Sequence, residues 1–120
     1  MVMMVLAAAV LLQVAAVYPA DPDCADSGDG STMAMQACLS EQSKIWEHRL
    51  NAEYQAALKR REIEASKLRS AQRAWLKYRN ANFEAYGTVQ GSIRGILAGT
   101  CWRDMTRARA LELHEMSWIG

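Results

Sequence analysis

The sequence predicts an all-α protein: a small antiparallel bundle of three main helices, preceded by a signal peptide and a tied N-terminal loop. Three observations carry that expectation. Apolar residues recur at helical spacing from about residue 32 to residue 116, and no Gly or Pro interrupts 32–86. A charge-dense cluster at Lys59, Arg60, Arg61, Glu62 and Glu64 thins the apolar signal midway. The stretch GTVQG at 87–91 then offers a second turn.

The first twenty residues, MVMMVLAAAVLLQVAAVYPA, are apolar apart from Gln13 and end in small side chains. That length fits the apolar core of a leader and is short for a membrane span. A leader without Lys or Arg departs from the usual pattern. Cleavage fits after Ala20, dividing the chain into a leader at 1–20 and one domain at 21–120, with Ala16 (Val-Ala-Ala) as the alternative. No lipobox precedes Cys24. Residues 21–31, DPDCADSGDGS, read as an exposed loop. Their Asp spacing lacks the terminal Glu and ligand ladder of a calcium loop.

Thr32 is positioned to cap a first helix that continues to about Lys59, with Leu39, Trp46, Leu50, Tyr54 and Ala57 on one arc. A single rod from Thr32 to Tyr86 would reach roughly 80 Å, too long for so small a domain to cover, so the turn is placed at 60–64. The second helix runs from about Ile63 to Tyr86 and stops at Gly87. Ser92 is the expected cap of the third, which extends to about Met116 with Ile93, Ile96, Leu97, Cys101, Met105, Ala108 and Leu111 or Leu113 facing inward. Gly91, Gly95 and Gly99 repeat every four residues in this region. Close approach of Trp75 or Tyr78 is the compensation expected for the helical cost of those glycines.

The chain carries a formal charge of +1, unevenly spread. Residues 21–58 hold seven acids against Lys44 and Arg49, whereas 59–120 hold twelve bases and six acids. Folding one half against the other neutralises most of this. A cationic stripe, Arg69, Arg73 and Lys77, runs beside Trp75 and Tyr78, but a near-neutral chain with a leader is no nucleic-acid binder; the stripe is either solvated or paired to the first helix. Nothing carries catalysis. His48 and His114 read as solvent-side, no Cys-x-x-Cys or His-Glu-x-x-His metal pattern occurs, and Glu62 and Glu64 sit in a solvated turn. No metal or cofactor is expected. Three cysteines in an exported chain leave one over, and a Cys24 to Cys38 bridge would close a loop of about 15 residues worth about 3 kcal/mol.

The stretch Leu68 to Arg79, LRSAQRAWLKYR, places Leu68, Ala71, Gln72, Trp75 and Tyr78 or Arg79 on one helical side. Gln72 and Arg79 approach that apolar face and need polar partners across the bundle; Arg109 is expected to pair with a carboxylate near the bundle end. The run L-R-x-A-Q-R-A-W-L-x-Y-R resembles the signature of the lysozyme inhibitor LprI-like N-terminal domain family, small exported bacterial helical domains. Leu50, Asn51 and Tyr54 (L-N-x-x-Y), the early Cys24 and Cys38, and Cys101 followed by Thr106, Arg109, Ala110 and Leu113 extend the resemblance over about 24–113. Many members carry a further Cys where this chain has Phe83. The resemblance therefore implies a buried free thiol at Cys101 with Phe83 in the vacated space. It further implies a periplasmic or secreted binding protein that blocks the cleft of a muramidase; the acidic loop of this chain, with Asp23, Asp26 and Asp29, is the candidate contact tip for a basic partner. The alternative is a periplasmic structural or interaction module without lysozyme activity.

Overall fold

The computed structural model describes residues 18–24 and 30–119. Residues 1–17 of the expected leader, and Asp26 and Asp29 of the acidic loop, lie outside the described residues. Three helices follow in order: α1 Thr32–Leu58, α2 Ala65–Tyr86 and α3 Arg94–Ser117. There is no strand among the described residues.

Ser31, one residue before the expected Thr32, caps α1 by accepting a 3.1 Å hydrogen bond from the Ala34 amide. This satisfies one of the amides that a helix start leaves unpaired. The turn between α1 and α2 falls at 59–64, where charged side chains on either side of Ile63 interrupt the apolar face. Gly87 closes α2 as expected. Ser92 does not cap α3: the helix begins from a turn at 91–93 with no side-chain cap, and Gly91, at φ +90°, makes that turn in a region side chains rarely adopt.

Cross-helix partners fix the topology. Gln42 meets Arg103, and Glu53 meets His114, so α1 and α3 run parallel. Gln72 meets Arg109 and Asn82 meets Met105, so α2 runs antiparallel to both. The closest packing joins the parallel pair α1 and α3, which the α1–α2–α3 order brings together across the intervening helix.

The core lies toward the C-terminal halves of α1 and α3 and the N-terminal end of α2. It comprises Trp46, Leu50, Ala57, Leu68, Ala110 and Leu113, flanked by Tyr54, Ile63 and Trp75. Burying a large apolar side chain here contributes about 2 kcal/mol. The inward face of α3 is the expected one only in part: Cys101 and Leu113 are buried as expected, Ala98, Thr106, Arg109 and Ala110 are buried beside them, and Ile93 and Ala108 are exposed. Small residues let α3 lie close to α1, a pattern that a search for large apolar side chains overlooks. The glycines serve the same contact. A Cβ at Gly95 would collide with Gln36, and one at Gly99 would touch Leu39 at 3.5 Å, so α1, not Trp75 or Tyr78 of α2, approaches them.

An extended strap, residues 18–23, runs along the α1/α3 seam ahead of α1. The Tyr18 hydroxyl donates to Glu53 Oε1 at 2.5 Å, and the Trp46 Nε1 donates to Asp21 Oδ2 at 2.7 Å. Gln42 Nε2 donates to the Pro22 carbonyl. Cys24 is bonded to Cys38, with 5.5 Å between their Cα atoms.

Candidate binding surface

The signature residues of α2 and α3 fold into an internal polar network. Arg79 is buried, and its Nη1 donates to Glu47 Oε2 at 2.6 Å and to Thr106 Oγ1 at 3.0 Å. Its guanidinium sits 3.8 Å from the Trp102 ring centroid and 4.6 Å from that of Trp75. Arg79 Nε has no hydrogen-bond partner among the described residues, and the two π faces stabilise the charge of the guanidinium. The Thr106 hydroxyl in turn donates a hydrogen bond to the Trp102 carbonyl at 2.6 Å. One turn further along α3, Arg109 Nε donates to Gln72 Oε1 at 2.9 Å and Nη1 pairs with Glu112. A planar, always charged side chain suits both positions, because it bonds in its plane and stacks on its faces.

These contacts decide what the signature does. Gln72, Arg79 and Arg109 are buried, Trp75 is half-buried, Leu50 and Leu68 lie in the hydrophobic core, and Tyr54 flanks it. All hold helices together and present little of themselves to a partner.

The second polar cluster was less legible. Glu53 collects Tyr18, His114 Nδ1 at 3.0 Å and Ser117 Oγ at 3.3 Å. His48 is exposed as expected, but His114 is half-buried, packed between Tyr18 and Trp118. The trio of Ser117, His114 and Glu53 is no nucleophile relay, since the Ser117 hydroxyl bonds Glu53 and the His114 carbonyl, not the imidazole. Asp21 faces Arg49 at 3.6 Å and Arg107 at 3.8 Å, and the Arg49 guanidinium packs against both the Tyr18 and the Trp46 ring. Gln42, buried between Pro22 and Arg103, has a sequence signal: it falls on the arc between Leu39 and Trp46.

Cys101 is a buried free thiol beside Met105, with the two sulfurs 3.8 Å apart. Burial pushes its pKa up, reinforced by the charge of Asp104. Phe83, expected to fill space beside it, is an exposed residue. That ring is 40% exposed and packs edge-on against Trp102 at 5.3 Å.

The surface residues form two contrasting faces. On α2, Arg69, Arg73 and Lys77 are exposed and make no ion pair among the described residues, so the stripe is solvated. Near the N-terminal end of α1, a groove of about 560 Å³ opens between α1 and α3, bordered by Phe83 of α2. Its floor and walls are Leu39, Gly95, Gly99, Phe83 and Trp102, with Lys44 and Glu47 at the lip. Cys38, which tethers Cys24, sits between the groove residues Gln36 and Leu39, and Asp23 is exposed next to the tether. No group of His, Cys, Asp or Glu among the described residues is arranged to hold a metal ion, and no described helix is long and apolar enough to cross a membrane.

The described residues form a disulfide-linked helical bundle with an open groove beside α1 and α3. The profile of the family described as Lysozyme inhibitor LprI matches residues 24–113, and the chain belongs to that family. Its members are non-catalytic inhibitor proteins. No curated protein and no solved structure matches the chain.

Proposed function

We propose that this chain is an exported lysozyme inhibitor that works in the periplasm or as a secreted protein, binding a muramidase and occupying its cleft. Its contact surface is the acidic arm bearing Asp23, Asp26 and Asp29, together with the adjoining groove of Leu39, Phe83 and Trp102. The observation that supports this reading is the Cys24–Cys38 bridge. It pins Cys24 to α1 beside the groove, so the arm is held at one end by the bridge and at the other by the start of α1 at Thr32. An arm held at both ends loses less freedom on binding than a free tail. Its aspartates attract the strongly basic surface of animal-type lysozymes, which raises the rate of encounter. The signature residues, being occupied internally, leave recognition to surfaces of this kind.

The test is clearing of a cell-wall suspension by a basic lysozyme in the presence of increasing mature protein. The native protein slows clearing stoichiometrically, and the triple variant Asp23→Asn, Asp26→Asn, Asp29→Asn needs at least about tenfold more protein at low salt. Unchanged inhibition by the triple variant removes the arm from the proposal. The solvated stripe Arg69, Arg73, Lys77 supports a second reading, an envelope interaction module whose partner is acidic. Flat inhibition curves across lysozyme types favour that one.

A further inference from the structure

We infer that the leader is removed between Ala16 and Val17, so that Tyr18 stays in the mature protein as part of its fold. This rests on the export reading above and fixes the processing site within it. The reaction is hydrolysis of one peptide bond: water adds across Ala16–Val17, leaving a carboxylate on Ala16 and an ammonium on Val17.

The first argument is register. Going from Tyr18 to Cys24, the strap meets Glu53, then Trp46 and Arg49, then Gln42, then Cys38, so it descends α1 as its own numbering rises. Six extended steps cover about 20 Å. The fifteen helical steps from Glu53 back to Cys38 cover about 22 Å. An extended strap therefore reaches from the Glu53 contact to the disulfide without slack, each contact falling where the lengths place it.

The second argument is what Tyr18 covers. Its ring meets Trp46 edge-on at 5.3 Å and His114 at 6.2 Å, lies under the Arg49 guanidinium at 4.6 Å, and joins the flank of the hydrophobic core. Cutting after Ala20 discards this residue with Pro19 and Ala20. Glu53 then loses its shortest hydrogen bond, and the Trp46 edge is opened to water.

The third argument is independent of the fold. Leader-processing peptidases read small side chains at the first and third positions before the cut. A cut after Ala16 places Ala16 and Val14 there, whereas a cut after Ala20 places the bulky Tyr18 at the third position.

The experiment is production of the full precursor in an exporting bacterial host, followed by intact mass and N-terminal sequencing of the envelope fraction. The expected product begins at Val17. A product beginning at Asp21 overturns the inference and leaves export standing; a chain that keeps Met1 overturns both. In the same host, Ala16→Phe abolishes cleavage and Ala20→Phe, at an exposed position, leaves it intact. The reverse pattern of the two variants also overturns the inference.

Discussion

Arg79→Ala removes the side chain on which all three helices converge, and the loss can be worked from its contacts. The hydrogen bond to Glu47 at 2.6 Å is charge-assisted, a class that contributes about 1.5–3 kcal/mol. The Glu47 side chain is 37% exposed, so it is rehydrated when its partner goes and the lower end of that range applies. Thr106 keeps its bond to the Trp102 carbonyl and is not stranded. Stacking on Trp75 and Trp102 adds about 0.5–1 kcal/mol for each ring. The total is about 3 kcal/mol, which for a domain of this size lowers the melting temperature by at least about 12 °C. Thermal unfolding followed by circular dichroism measures it, with helix content at 20 °C checked against wild type. Arg79→Lys keeps the charge but loses the planar stack, and falls between the two. A melting temperature for Arg79→Ala within about 4 °C of wild type would refute the idea that the signature serves cohesion.

Three further outcomes follow from the same geometry. Replacing Cys24 and Cys38 together with Ser frees a loop of about 15 residues and costs about 3 kcal/mol, read as a lower urea midpoint with the helical spectrum retained. Burial first, then the hydrogen bond and charge of Glu53, hold the Tyr18 hydroxyl well above the ordinary phenol range. Above about pH 10 the unfolded chain therefore releases that proton while the folded one keeps it, and stability falls as pH rises. Below pH 10 the contribution is fully present. Tyr18→Phe should flatten this part of the alkaline loss relative to wild type in urea melts at pH 8, 10 and 11; an identical slope would contradict the burial of that hydroxyl. Cys101, buried and held in its thiol form, should react with iodoacetamide at least about tenfold more slowly in the folded protein than in urea, by mass spectrometry.

Helix number, the two turns and the early disulfide were legible in the sequence because each has a local cause: apolar spacing, a charge cluster, a glycine and cysteine pairing. The inward arc of α1 was legible for the same reason, since Leu39, Trp46, Leu50 and Ala57 are large or evenly spaced. The face of α3 was legible only at Cys101 and Leu113. Its contact with α1 depends on Gly95, Ala98, Gly99 and Ala110, whose value is the closeness they permit and not the area they bury. The strap escaped notice too, because Tyr18 and Asp21 look like the end of a leader and the start of a loop. Their partners Glu53 and Trp46 are distant in sequence, and nothing local marks the pairing. Gln72, Arg79 and Arg109 stood out as polar groups on an apolar face, but which atoms they bond depended on the parallel course of α1 and α3.

Hydrogen exchange of the mature protein, alone and with a basic lysozyme, measures most directly whether recognition belongs to the arm and groove while the signature only holds the bundle. The account predicts new protection at 21–47 and around Gly95 to Trp102, with the amides of 68–79 unchanged. Protection confined to the α2 face of Arg69, Arg73 and Lys77, or no change anywhere at saturating lysozyme, would contradict it.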